Sequence, residues 1–278
     1  MNKFVFIADY FIEEVPGGGE MNNDQACSLL LSLGYDIEKV HSKDVTLDML
    51  EPDNNYIIAN FVNLPEQCKR KLEKEKRYVI YEHDHKYVAN RNPAQYPGFI
   101  APKDQIVNYN FYKKAQAVLC QSKFHQTIVK NNLSLDNIVS LGGNLWTQES
   151  LDLMSEISSQ KKKNKFSIMA SQNWHKNTQG AVTYCKVKNL DYDLILQCPY
   201  EQFLQKLGTN EKFLFLPQTP ETLSRIVVEA RMMGMRVFTN NNVGATKEDW
   251  FKLKGSDLIS VMQNKRKEIP NKIIEIFK

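Results

Sequence analysis

Two glutamates and an arginine recur at four-residue intervals in "PETLSRIVVEARMMG", residues 220–234: Glu221, Arg225 and Glu229. On a helix they fall within about 80° of one another, with Leu223, Ile226, Val227, Ala230 and Met233 on the opposite side. Two carboxylates separated by about 12 Å of helix rise can grip hydroxyl groups at opposite ends of one elongated ligand. The arginine and the helix N-terminus lie between them, where a phosphate needs positive charge. Glu221 is expected in the first helical turn, just past a strand end, which is where parallel sheets bind ligands. The plain alternative is an exposed face of i,i+4 ion pairs, each worth only about 0.3–0.5 kcal/mol.

A second cluster, "YEHDHKY", spans Tyr81 to Tyr87. It follows an apolar run, and alternation along a strand would let His83 and His85 converge on one ion. Two histidines do not complete a metal site, and no third ligand is identifiable, so no metal is expected. Ligand contact by His83 or His85, with Asp84 beside them, and a structural turn are the remaining readings. The run "GGG" at 17–19 lacks G-x-G-x-x-G spacing and no G-K-[ST] follows it, which argues against a dinucleotide enzyme and a P-loop. No G-x-S-x-G elbow occurs either.

These residues need elements to hold them. "KFVFIADY", a glycine loop and "MNNDQACSLLLSLGYDIEKV", with Gly34 as its stop, read as strand, loop and helix, the opening of a doubly wound sheet. "YIIANFVNL", "RYVIYEHDH", "AQAVLCQS" and "NIVSLGGN" are further buried strands, with helices over "PEQCKRKLEKEK" and "KFHQTIVKNN". The polar stretch from Thr147 to Lys165 ends in a lysine run and reads as a hinge. A second series follows: "KFSIMAS", "YDLILQC", "KFLFLP" and "MRVFTN", separated by helices. The tail reads as a helix interrupted at Pro270. The expected organisation is therefore an N-terminal domain over 1–150, a linker over 151–165, a second domain over 166–255 and a helical tail over 256–278 that packs back on the first.

Composition narrows the class. The 278 residues carry 36 Lys and Arg against 32 Asp and Glu, a mild balance that permits an anionic partner without demanding one. Five scattered cysteines, with no C-x-x-C pair, predict free thiols and a reducing compartment. With no signal peptide and no apolar run of about 18 residues, a soluble, cytoplasmic protein without integral membrane association is expected.

The glutamate stretch resembles the retaining glycosyltransferases of GT-B fold, family 4 type. Their hallmark is E-x7-E followed by E-A-x-x-x-G, matched by Glu221, "TLSRIVV" and "EARMMG", and then by "MRVFTNNNVGA". More weakly, "PGGGE", "AQAVLCQSKFHQTIVKNN", "NIVSLGGN" and "KFSIMASQNWHKN" are similar to other family segments. The resemblance implies an α/β protein of two Rossmann-like domains facing each other across a cleft. It implies a nucleoside-diphosphate-sugar donor, with a UDP-sugar favoured, bound mainly to the second domain, an acceptor bound to the first, and no cofactor. Glu221 would contact the donor sugar, Glu229 the ribose and Lys176 the diphosphate, with Thr222 and Asn242 completing the donor set. Gly18 and Gly19 would let the backbone approach phosphate. His83 or His85 would lie near the transferred sugar.

Two departures matter. The family's arginine shortly before the lysine is absent, since Ser171 and Gln172 occupy that region; either Arg225 supplies the charge or diphosphate binding is weaker. "E-T-L-S" replaces the common "E-G-F-G". A D-x-D at Asp191 and Asp193, a metal and donor motif in glycosyltransferases of the other major fold, precedes its strand here and reads as two exposed acids.

The compact length and "YEHDHKYVANRNPAQYPGF" are similar to small phage-encoded transferases, some of which glycosylate hydroxymethylated bases in DNA; the host cytoplasm would then be the location. Lys86, Arg91, Lys103, Lys113 and Lys114, with Tyr87, Tyr96, Phe99, Tyr109, Phe111 and Tyr112, are the candidate DNA surface. A glycan, a small molecule and DNA all stand as acceptors, and a sugar-nucleotide-binding protein without transfer activity is the other class.

Overall fold

The structure is a computed structural model that describes residues 3–75 and 77–278. Met1 and Asn2, read as leading into the first strand, and Lys76, read as part of a helix, lie outside the described residues. The chain divides into two compact units, one running to Leu145 and completed by Lys265–Lys278, the other Trp146–Asn264.

In the first unit six strands pair in parallel: β1 (Phe4–Ala8), β2 (Ile37–His41), β3 (Asn55–Ile58), β4 (Tyr78–Tyr81), β5 (Ala117–Cys120) and β6 (Ile138–Ser140). Their order is β2-β1-β3-β4-β5-β6. Every residue of β1, β3, β4 and β5 is buried, as inner strands covered on both faces require, whereas the edge strands β2 and β6 are partly exposed. Alternate residues feed two cores. Val5, Ile7, Ile58 and Ile80 pack with α2 (Glu66–Glu75), α3 (Tyr109–Lys114) and α4 (Lys123–Leu133); Phe4, Phe6, Ile57 and Val79 pack with α1 (Gly18–Ser32) and the chain's C-terminal helix. Gly34, at φ +89, ends α1 in a conformation that suits glycine.

Strand β2 was absent from the sequence expectation, which stopped the first helix at Gly34 and named no strand over "DIEKV". Its alternating, half-exposed residues carry the weak apolar signal of an edge strand.

The second unit has α5 (Gln148–Ser159), β7 (Lys163–Met169), α6 (Thr178–Val187), β8 (Tyr192–Ile195), α7 (Tyr200–Leu207), β9 (Asn210–Phe215), α8 (Arg225–Met232) and β10 (Arg236–Thr239). Its parallel sheet has the order β10-β9-β7-β8. The stretch expected as a hinge is ordered structure. Thr147 caps α5 by accepting from Ser150 N (3.1 Å), and Leu151, Met154 and Ile157 bury one face at i,i+3 spacing inside a polar composition. Lys162 in the lysine run donates to the carbonyls of Ile157 (2.9 Å) and Gly208 (2.7 Å).

The last helix, α9 (Ser256–Phe277), runs through Pro270 without the expected interruption. A proline there forfeits one backbone hydrogen bond, and Pro270 lies buried between Ile269 and Ile273, whose packing holds the helix together. Leu258, Ile259 and Met262 belong to the second unit's core, and Ile269, Ile273, Ile274 and Phe277 to the first's. Among the described residues no helix is long and apolar enough to cross a membrane. All five cysteines are free thiols.

Candidate functional site

Strand order locates the ligand-binding edges. In the second unit the chain leaves β7 for β8 on one side and then returns to lay β9 on the other. The loops that follow β7 and β9 therefore diverge, and the carboxyl ends of those strands form the switch point where open α/β sheets bind ligands.

The loop after β7 carries Lys176 and the loop after β9 carries Glu221. Lys176 Nζ donates to both Glu221 oxygens, at 2.8 and 2.9 Å. Both loops are pinned. Gln218 N donates to His175 O (2.9 Å), and Asn177, left-handed at φ +54, caps α6 through Oδ1 while its Nδ2 donates to Leu216 O (2.8 Å). The amine and the carboxylate thus sit on a rigid base formed by two adjacent loops.

Glu221 is not in a helical turn, contrary to expectation. Its segment is extended and bridges Val243 in parallel: Glu221 N donates to Asn242 O (2.7 Å) and Gly244 N to Glu221 O (2.9 Å). These bonds consume the backbone groups that a helix would use. The chain then turns at Ser224 (φ +73) and α8 begins at Arg225. Asn242 serves as backbone support here, and its Nδ2 donates to Pro217 O (3.0 Å). Thr222 follows Glu221 in a bend and is half-buried.

The three-residue stripe is therefore split. Arg225 and Glu229 remain together on α8, with Nε 3.6 Å from Oε1. Glu229 is 3% exposed, and its Oε1 accepts from Trp146 Nε1 (2.9 Å) and Tyr200 OH (2.7 Å). Burial, and then the neighbouring Glu229 carboxylate, hold the Tyr200 hydroxyl well above its ordinary pKa, so it stays a donor. The Arg225 guanidinium lies 4.4 Å over the Trp146 ring. Glu229 and Arg225 tie α8 to Trp146, just ahead of α5, and Glu229 ties it to Tyr200 at the start of α7. Asp193 lies within β8, paired with Lys165 (3.3 Å) and Asn210 (3.1 Å).

In the first unit the switch point lies between β1 and β3. Gly18 and Gly19 are not loop residues but the first two positions of α1, which has no side-chain cap. A Cβ on Gly19 would stand 3.7 Å from His83 Cγ, so the helix start passes closely over that ring. Glu20 is half-buried and receives Asn60 Nδ2 at 3.5 Å, and burial raises its carboxyl pKa.

The two histidines do not share a face. Strand β4 stops at Tyr81, and His85 is left-handed at φ +58, which turns its ring inward. His83 stacks on Tyr81 (5.0 Å), bonds Asn23 Oδ1 through Nε2 (2.7 Å) and meets Gln121 Nε2 through Nδ1. Those partners select the neutral tautomer with the proton on Nε2. His85 is 4% exposed, bonds Tyr87 OH (2.9 Å) and meets His125 edge-on at 5.1 Å. Among the described residues no group of three or more His, Cys, Asp and Glu could hold a metal ion.

Burial pushes the pKa of His83 and of His85 down to about 4, and that of His125 well below its ordinary value. Each is neutral when folded but titrates near 6.5 when unfolded, so acid favours the unfolded chain. Stability is therefore expected to be complete above pH 6.5 and to fall towards pH 4, by up to about 3 kcal/mol from His85 alone. Denaturant midpoints measured from pH 7.5 to 4 check this; a flat profile would contradict neutral, buried imidazoles.

The expected basic and aromatic surface is only partly a surface. Lys86 is buried against Glu82 (3.0 Å) and Asp84, and Tyr87, Phe111 and Tyr112 are core residues at 0–1% exposure. Arg91, Lys103, Lys113, Lys114 and Tyr109 are exposed, and Tyr96 and Phe99 are half-buried. Arg91 pairs with Asp84 (3.2 Å) and Lys114 with Glu73 (3.6 Å).

One residue that sequence reasoning passed over stands out. Trp174 is 58% exposed, in a short 3-10 turn two residues before Lys176. Its signal was an aromatic residue in the loop that follows a central strand.

No protein-family model matches the chain, and no curated protein matches it in sequence. Solved structures do match. Sucrose-phosphate synthase from Thermosynechococcus elongatus superposes with a TM-score of 0.60 at 9% identity, over 100% of this chain and 95% of that one. Anabaena HepE in complex with UDP gives 0.54 at 12% identity, over 99% and 97%. An alpha-glucosyltransferase in complex with UDP and a 13-mer DNA containing a HMU base gives 0.50 at 11% identity, over 99% and 93%. With two parallel α/β sheets, this likeness defines the fold as that of GT-B glycosyltransferases, the architecture expected from the sequence. A shared fold at such identity defines architecture; chemistry is argued from the site.

Proposed function

We propose that this chain is a glycosyltransferase of the hexosyl type that moves a sugar from a nucleoside-diphosphate-sugar, with UDP-sugars favoured, to an acceptor hydroxyl. The observation that carries the reading is the Lys176–Glu221 pair at the β7/β9 switch point, in a fold shared with UDP-bound glycosyltransferases. An ammonium there suits a diphosphate, and a fixed carboxylate suits sugar hydroxyls, which donate to it. Retention follows the family resemblance. The bond from the anomeric carbon to the diphosphate oxygen breaks while the acceptor oxygen bonds the same face of that carbon. The acceptor proton passes to the departing diphosphate. Lys176 offsets the charge that develops on the leaving group without requiring a metal or a nucleophilic side chain.

Donor binding by the second unit and acceptor binding by the first, near His83, complete the proposal. A DNA acceptor with hydroxymethylated bases is the second reading, favoured by the likeness to the DNA-bound alpha-glucosyltransferase and by exposed Lys103 and Lys113. Nucleoside diphosphate release from a panel of nucleotide-sugars, with and without hydroxymethylcytosine-containing DNA, separates these readings. Release from one donor is expected. Stimulation by the DNA would assign the polymer acceptor, indifference would point to a glycan or small molecule, and no release from any donor would defeat the transferase reading in favour of a binding protein.

A further inference from the structure

Resting on that donor-site reading, we infer that Trp174 is the stacking platform for the base of the donor nucleotide. Three observations carry it. First, the indole is 58% exposed although it is the largest apolar surface on its turn, whereas Trp146 and Trp250 are 1% and 9% exposed. An aromatic face left open beside a charged pair suits a planar ligand that has a phosphate attached.

Second, the ring is rigid. It stacks on His175 with centroids 3.8 Å apart and planes 30° from parallel. The turn beneath is fixed by Asn173, whose side chain accepts from His175 N (3.0 Å), by Asn173 N donating to Ser171 Oγ (3.1 Å), and by Gln218 N on His175 O (2.9 Å). A platform ordered in advance avoids the entropy cost of ordering a side chain on binding.

Third, the position is right for a nucleotide whose diphosphate lies at Lys176. The segments after β7 and β8 leave the sheet side by side, with Ala170 N donating to Ile195 O (2.9 Å). The second segment exposes Leu196 to 63%, so two apolar side chains stand open on neighbouring loops at the same edge of the sheet. Trp174 contacts the π-face that every base has, so it strengthens nucleotide binding in general and leaves the choice among bases to other groups.

The test titrates the full chain with UDP, GDP, ADP and dTDP and with inorganic pyrophosphate, following affinity by calorimetry and tryptophan fluorescence. Wild type is expected to bind at least one nucleotide with quenching. Trp174→Ala should weaken that nucleotide by roughly ten- to a hundredfold, in line with base–aromatic stacking, and leave pyrophosphate binding unchanged. Trp174→Phe should keep most of the affinity but lose the quench, because the two remaining indoles are buried. Unaltered nucleotide affinity in Trp174→Ala would overturn the inference. So would an equal loss of pyrophosphate, which would show that the substitution acts on the diphosphate end. No nucleotide binding by wild type would instead overturn the donor-site reading itself, and is seen before any variant is made.

Discussion

Replacing Glu221 by alanine is expected to lower kcat/KM for sugar transfer by about 10²- to 10³-fold while the protein keeps its fold. The carboxylate presents two oxygens to the switch point, and hydrogen bonds to a charged acceptor contribute about 1.5–3 kcal/mol each. Losing two of them, each towards the lower end of that range, corresponds to roughly 3–4 kcal/mol of transition-state stabilisation. The fold is expected to survive because Glu221's structural bonds are made by its backbone, to Asn242 and Gly244, and alanine retains them. Lys176 loses its partner, but its side chain is 30% exposed and stays hydrated. Steady-state kinetics on the donor that wild type uses, with a thermal melt of both proteins, decides the matter. Normal turnover in Glu221→Ala would remove Glu221 from the site and leave Lys176–Glu221 as a surface ion pair.

The largest effect on stability is expected at Lys86. Glu82 is fully buried, and its Oε1 receives Lys86 Nζ (3.0 Å), Asp84 N (3.0 Å) and His83 N (3.1 Å) while Tyr112 OH reaches Oε2. Burial alone would raise this carboxyl's pKa, but the Lys86 ammonium and the hydrogen bonds from Tyr112 and Asp84 N hold it well below the usual carboxylate range, so it is ionised. Lys86→Met leaves that charge without its counter-ion inside the first unit. Breaking a buried pair from one side costs about 3–5 kcal/mol, and at roughly 2–4 °C per kcal/mol the melting temperature should drop by about 10 °C. The double variant Glu82→Gln, Lys86→Met should recover much of the loss, because the desolvation penalty leaves with the charges. A single variant that melts within about 2 °C of wild type would mean that the pair is not what secures this corner. His83 N is one of Glu82's donors, so the pair also fixes where the chain presents His83 after β4.

Particular residues show where sequence reasoning stopped. The runs at β1, β3, β4 and β5 were legible because strands covered on both faces are almost wholly apolar. Strand β2 was hidden because an edge strand needs only half of that pattern. Helix α5 was hidden because three buried side chains in a polar stretch read as a solvated hinge. At the site, the spacing of Glu221, Arg225 and Glu229 assumed a continuous helix. Local propensity favours that helix, but backbone bonds to the loop after β10 hold Glu221 extended. Its carboxylate then turned out to belong with Lys176, 45 residues away in the chain.

By itself the sequence determined the α/β class, the two series of parallel strands and the short list of charged residues. Each of these follows from local composition and periodicity. Only the tertiary structure decided which charges meet. It joined Lys176 to Glu221 through the strand order, drew Glu229 and Lys86 inside, sent His83 and His85 to different partners and left Trp174 open beside the pair. Those outcomes depend on long-range packing and on which backbone groups satisfy one another, and neither is written in the spacing of residues along the chain.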